Sequence, residues 1–261
     1  MLRGSSRAVA GIGRVVLWSG GSLWIGHAAG RVQSHAHHAI QISLALSGSV
    51  RLRAHEQSQW SEYSAALVRP HERHQFDGND QTVAQLFVEP ETAHGRSLLE
   101  RHAGEPIAAL TGPAIEELKG SAGHLFATRA TDAALVAAGE HAVALLSGGA
   151  TALTVDARIT RAIAWVSSRL ESPISLAEVA RIAHLSPGRF RHLFVAQTGI
   201  SFRAYLLWAR VRQAVDAAMH GMSWADAAQA CGFADSAHLS RTCRRIFGIA
   251  PSSLIREPTL E

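Results

Sequence analysis

Apolar and polar residues alternate in short bursts through the first third of the chain, as in IQISLAL (Ile40–Leu46) and VRLRA (Val50–Ala54). Gly, Ser and Asn-Asp punctuation separates them. A period of two over four to eight residues is that of a strand with one buried face, and the punctuation supplies turns. Residues 13–88 therefore predict a small antiparallel barrel or sandwich, with LSGSV (Leu46–Val50) as a hairpin turn. From about Glu91 the period lengthens to that of helices. Ala133, Leu135, Ala138, Ala142, Leu145 and Leu146 make one stripe of about four turns, stopped by Gly148-Gly149. Gly148–Thr151 is the expected linker, too short and flexible to transmit strain, between a domain of residues 1–150 and one of 151–261. After it the pattern is wholly helical.

The helical part contains a repeat. Shifted by 48, Ser175–Glu178 (SLAE) lies over Ser223–Asp226 (SWAD), and Val179, Ala180, Ala183 and Leu185 lie over Ala227, Ala228, Cys231 and Phe233. One inserted residue then pairs Phe190 with Leu239, Gly199–Ser201 with Gly248–Ala250, and Tyr205 with Leu254. Matched caps and turn glycines mark two copies of one supersecondary unit. In the first copy Ser175 and Glu178 suit a capping box, and Asp226 imitates it with a shorter acid in the second. Ser186 as N-cap with Pro187 at the first helical position starts the next helix, because proline's missing N–H costs nothing there. Phe190, Leu193 and Phe194 face inward, leaving Arg189, Arg191 and His192 outward. In the second copy Leu239, Cys243 and Ile246 point in, and Ser236, Ala237, Ser240 and Arg241 point out. Two helices joined by a tight turn, the second offering donors outward, form a helix-turn-helix that can enter a DNA groove. Phe202–Met219 reads as one connecting helix, ended by Gly221. At about 1.5 Å per residue it spans about 27 Å, close to the ~34 Å between successive major-groove faces.

Charge sharpens this picture once divided. From Asp156 onward thirteen arginines stand against eight acidic residues, a balance of +5, while residues 1–155 balance at −1. Basic charge confined to the repeat suits a polyanion-binding module beside a neutral one. The two cysteines, Cys231 and Cys243, have no metal-ligand or redox spacing and fall on core positions, as expected of a reduced, cytoplasmic protein. No apolar run approaches the ~20 residues that span a bilayer, and MLRGSSRAVAGIGRVV lacks the apolar core of a leader.

LAEVARIAHLSPGRFRHLFVAQTGISFRAYL (176–206) and GFADSAHLSRTCRRIFGIAPSSL (232–254) resemble the signatures of the AraC/XylS transcription regulators, over roughly residues 156–256. The resemblance implies base-facing roles for Gly188, Arg191 and His192 in the first unit and for Ser236, Ala237, Ser240 and Arg241 in the second, with Arg189 beside them. Gly188 departs from the family in offering no side chain. Phe202 stands where the family often has proline, and is expected to serve packing only.

His35-x-His37-x3-Gln41-x6-Gly48 resembles the first cupin motif, with glutamine in place of the usual glutamate. Pro70–His74 (PHERH) falls at the second motif, one residue short. On a strand His35 and His37 share a face, and His74 could reach them from a partner sheet. Three readings stay open: a divalent transition metal on His35, His37, Gln41 and His74, an organic-effector pocket, or a vestigial barrel. His38, His55 and His71 are expected at the surface.

The sequence thus predicts an α+β protein of two domains. A cupin-like barrel with following helices senses an effector, and an all-α domain carries two helix-turn-helix units joined by a long helix. The expected partners are double-stranded DNA, RNA polymerase, a small-molecule or metal effector and, through the alanine-leucine stripe of residues 91–147, a second copy of the chain. No catalytic residue is expected. The alternative is a metal-dependent cupin enzyme, of dioxygenase or isomerase type, fused to a DNA-binding module.

Overall fold

The computed structural model describes residues 10–149 and 155–257. Its N-terminal part is built on two sheets. β1 (Ala10–Trp18) and β2 (Gly21–Ala29) form a long antiparallel hairpin, turned at Gly20, whose φ of +88° suits glycine. They join β8 (Gln81–Val88), β3 (Ile40–Ala45), β6 (Ala65–Val68) and β9 (Ile107–Ala109) in one sheet. β5 (Ser61–Tyr63), β4 (Val50–Arg53) and β7 (Gln75–Asp77) make a second, three-stranded sheet. The Leu46–Val50 segment is therefore no hairpin. β3 pairs with β6 and β8 while β4 pairs with β5 and β7, so the segment carries the chain from one sheet to the other.

Both faces of the large sheet are covered, which explains why every residue of β3 is buried. Ile40, Ile42 and Leu44 pack with α1 (Ala93–Arg101), α2 (Pro113–Ala127) and α3 (Asp132–Ser147), through Leu98, Ile115, Leu118, Leu135 and Val143. Gln41, Ser43 and Ala45 point the other way, toward the second sheet. Leu135 and Ala142 of the alanine-leucine stripe thus cover the sheet, while Ala133 and Leu145 remain exposed.

Beyond the expected linker, of which Ala150 and Thr151 lie outside the described residues, come α4 (Ala157–Ser167), α5 (Leu176–Ile182), α6 (Pro187–Thr198), α7 (Phe202–Met219), α8 (Trp224–Ala230) and α9 (Ser236–Phe247). This part is not wholly helical. After Gly248 the chain makes a 3-10 turn at Pro251–Ser253 and then β10 (Leu254–Arg256), which pairs in parallel with β1. The sequence partners Tyr205 and Leu254 therefore differ in structure. α7 can begin at Phe202 on a Ser201 cap, whereas the second copy has no long helix to start and ends on the sheet.

The two parts share one core. Val15, Ala39 and Phe87 of the sheet region pack with Trp208, Val211, Val215 and Met219 of α7 and Phe247 of α9. The Phe247 ring lies 4.8 Å from Trp24 and 5.8 Å from Phe87. Arg212, on the same face of α7, pairs with Glu89 and donates to the Gly21 carbonyl at 2.7 Å, both side chains being buried. Burial pushes the Glu89 carboxyl up, and the Arg212 guanidinium offsets part of that shift. At the rim, Arg14 and His220 both meet Asp132. The docking therefore runs through helix faces and β10.

A buried ion pair broken from one side leaves a charge without a partner, at about 3–5 kcal/mol. Arg212→Ala is expected to lower the urea unfolding free energy by about that amount. Unchanged stability would show that the pair does not hold the two parts together.

Candidate nucleic-acid interface and interdomain cavity

Each helix pair is set by local chemistry. Ser175 and Glu178 form the reciprocal capping box at the start of α5. At α8, Ser223 accepts from the Asp226 N–H, but its hydroxyl takes up the Asp226 carboxylate at 2.6 Å. One methylene fewer than glutamate makes this the shorter reach. Ser186 caps α6 ahead of Pro187, and Asp235 caps α9. Val179, Ala180, Phe190 and Phe194 are buried in the first unit, and Ala227, Ala228, Leu239 and Cys243 in the second. Phe202 packs its ring against Phe190 and Phe194 at 5.6 and 5.5 Å. Burial raises the Cys231 thiol to about 11 and Cys243 to about 12, so both stay protonated core groups.

Gly188, Arg189, Arg191 and His192 on α6, and Ser236, Ala237 and Arg241 on α9, are exposed, with Ser240 half-buried and accepting from Arg244 at 2.9 Å. The arginines divide into two groups. Arg210 is spent on the carbonyls of Leu170, Ser172 and Gly232, Arg212 on Glu89, and Arg158 on Asp156. Arg189, Arg191, Arg241, Arg244 and Arg245 are exposed and form no ion pair among the described residues. Cationic donors thus remain free on the outer faces of α6 and α9.

A cavity of about 110 Å³ lies where the sheet meets the helices. It is largely apolar, lined by Trp24, Phe76 and Phe87 from the sheet region and by Met219, Phe247 and Leu254 from the C-terminal part. His35 and Gln41 supply polar groups at its wall. His35 and His37 are brought together with His74, but not as strand neighbours. His35 sits in an isolated bridge to His74, and the segment around His37 is irregular. Each Nδ1–H donates to a backbone carbonyl: His35 to Gln33 at 2.8 Å, His37 to Ala39 at 2.9 Å, His74 to Glu72 at 2.9 Å. The Nε2 atoms of His37 and His74 lie 2.9 and 3.3 Å from Gln41 Oε1. Burial, then the neighbouring His74, push the His37 imidazole down to about 3, and burial also lowers His35 and His74.

Two of the three histidines expected at the surface, His55 and His71, are exposed, but His38 is buried and bonded to the Glu91 carboxylate at 2.8 Å. Sequence reasoning missed this pair and the Arg212–Glu89 pair. The available signal was β8, apolar at Val83 and Phe87 as well as at Ala84, Leu86 and Val88, which announces a partner on each face.

Residues 179–257 match a family described as a helix-turn-helix domain. The chain is 31% identical over 88 residues to the uncharacterized HTH-type transcriptional regulator YpdC of Escherichia coli, covering 33% of this chain and 31% of that protein. It is 33% identical over 100 residues to the HTH-type transcriptional activator RhaS of Klebsiella pneumoniae, covering 38% and 36%. The chain spans about a third of the length of the curated relatives it matches. Among solved structures, ToxT from Vibrio cholerae superposes with a TM-score of 0.55 at 14% identity, over 94% of both chains. A further structure of that protein holds an unsaturated fatty acid, with a TM-score of 0.54 at 14% identity over 94% and 92%. Residues 179–257 thus match a helix-turn-helix domain, and the whole chain has a mixed α+β fold similar to that of ToxT.

Imidazoles held neutral in the fold can take a proton near 6.5 once the chain unfolds. Their contribution to stability is complete above that pH and is lost as pH falls toward about 3. Unfolding midpoints are expected to drop through this window, and His37→Gln should flatten the decline. A midpoint independent of pH between 6.5 and 4 would contradict the buried, neutral cluster.

Proposed function

We propose that the chain is a sequence-specific DNA-binding transcription regulator of the AraC/XylS type, whose N-terminal part, a cupin-like barrel, answers a small effector. The observation that carries this reading is the repeated helix pair with unpaired arginines on the exposed faces of α6 and α9, inside the matched domain. α7, of 18 residues, separates the units by about 27 Å at ~1.5 Å per residue, near the spacing of adjacent major grooves. Arg191 and Arg241 read bases, with His192, Ser240, Ser236 and Ala237 beside them. Arg189 contacts phosphate, and Gly188 lets the backbone come close. The relatives carry regulator names, which favours this reading over a metal-dependent enzyme. Action in the cytoplasm, as a homodimer contacting RNA polymerase, belongs to the same proposal.

The effector enters the apolar cavity between the two parts, as ToxT's capacity to hold an unsaturated fatty acid suggests. At about 110 Å³ it is smaller than the roughly 300–1,000 Å³ of ordinary ligand pockets. An effector of more than a few heavy atoms therefore has to separate Trp24 and Phe87 from Phe247, and so loosens the docking. An effector shifts such an equilibrium only by binding one arrangement better than the other.

Two measurements test this. The full chain, with a duplex selected from a random library, should lose about tenfold or more in affinity between 50 and 200 mM salt, as phosphate contacts release counterions. Folded protein that selects no duplex would refute the reading. Arg191→Ala and Arg241→Ala should each cost about 1–3 kcal/mol on the selected site and relax preference at separate base pairs. Equal losses on selected and random duplexes would confine both arginines to phosphate.

A further inference from the structure

We infer that Arg96 is a positioning residue for DNA reading, acting through Gln197 to fix the spacing of the two recognition helices. The last carbonyls of a helix have no partner within it and carry the negative end of its dipole. In both recognition helices the N-terminal part supplies a donor at that end. Arg96 of α1 gives Nη2–H to the Gln197 carbonyl at 3.3 Å and to Gln197 Oε1 at 3.0 Å, in the last turn of α6. Gln33 gives its N–H to the carbonyl of Gly248, the left-handed C-cap of α9, at 3.1 Å. Gly199 and Gly248, which end the two helices, are paired glycines of the repeat. Both helices are thus held by their C-terminal ends, while Arg191 and Arg241 stay exposed.

The brace on α6 hangs from the same turn that holds α7. Glu89, just after β8, pairs with Arg212. Its carbonyl accepts from the Thr92 N–H at 3.1 Å and from the Thr92 hydroxyl at 2.8 Å, and Thr92 caps α1 through the Gly95 N–H at 2.9 Å. Gly95 leaves no room for a Cβ against the Glu89 carbonyl, so α1 cannot slide along this turn. Arg96 follows directly. On the facing side Gln197 is also fixed, because its Oε1 accepts from the N–H of Asp156, the N-cap of α4, at 3.0 Å. Arg96 Nε is buried without a partner among the described residues, and the bonds to Gln197 offset the burial of this guanidinium.

The two braces differ in stiffness. The Gln33–Gly248 bond joins main chain to main chain, under a helix whose buried residues share a core with the sheet. Arg96 is a long side chain, and the first unit closes a core of its own. Removing Arg96 therefore frees α6 while α9 keeps its hold. One base pair inserted between two half-sites turns them by about 35° and parts them by about 3.4 Å. A braced pair of helices cannot follow that change, and an unbraced α6 can.

The brace stands on these bonds alone; its meaning for DNA rests on the function proposed above. The test uses the full chain and two variants. Arg96→Met keeps the apolar stem and removes the donors, and Gln197→Glu sets a carboxylate under the guanidinium, a charge-assisted bond. In the free protein, Arg96→Met should speed amide exchange at 194–200 by about threefold or more and leave 211–219 as in wild type, whereas Gln197→Glu should slow exchange at 194–200. Unchanged exchange at 194–200 in Arg96→Met would overturn the brace; should that variant fail to fold, unchanged exchange in Gln197→Glu would do the same. On duplexes with one or two base pairs inserted between the halves of the selected site, wild type and Gln197→Glu should lose about tenfold or more in affinity, and Arg96→Met about threefold or less. Coincident losses in wild type and Arg96→Met would overturn the role in reading. Faster exchange at 194–200 in an Arg96→Met chain, where wild type selects no duplex, would keep the brace and refute the proposed function.

Discussion

The packing of α7 and the end of α9 on the face of β1, β2 and β8 opposite to α1, α2 and α3 is the constraint on which the rest depends. Phe247 enters between Trp24 and Phe87, and Arg212 brings its charge to a carboxylate it cannot leave unpaired. The second helix-turn-helix unit has no core of its own apart from this surface, since its buried residues belong to one cluster with Val15, Ala39 and Phe87. The first unit closes its own core around Phe190, Phe194, Phe202 and Tyr205. The two units are therefore unequal in their attachment. The first is tied at its edge, where Arg96 donates to Gln197, and the second is built into the sheet.

That inequality gives the cavity its place in the mechanism. Its walls come from both parts, so its volume and the position of α9 cannot vary independently. A close-packed contact does not deform continuously but exchanges one arrangement for another. On the proposed function, an effector that enters the cavity selects between arrangements of α6 and α9.

What was legible in the sequence is what short-range chemistry dictates. Ser175 with Glu178, Ser186 with Pro187, and the spacing of Phe190 and Phe194 specify helix starts and a buried face within a dozen residues, and the repeat confirmed them by recurrence. The bounds of α7 and the stop of α3 at Gly148 followed from the same local signals. His35, His37 and His74 were recognised by motif spacing although no regular strand holds them. What was not legible is pairing between distant segments. Nothing near Leu254 announces a strand, because its partner is β1 at the other end of the chain. LSGSV carries turn chemistry, but turn chemistry does not say which sheet receives the next strand. His38 reads as a surface group in the sequence because its partner, Glu91, lies 53 residues away in a segment with no periodic pattern. The contact of the two parts through helix faces was illegible for a related reason: its residues lie far apart in sequence.

Hydroxyl-radical footprinting of the full chain on its selected duplex tests the central claim most directly, that one chain presents two recognition helices from a single docked unit. The account predicts two protected patches on one face of the duplex, their centres about one helical turn apart, with Arg241→Ala weakening one and Arg191→Ala the other. A single patch, or two patches that respond together to either substitution, would contradict it.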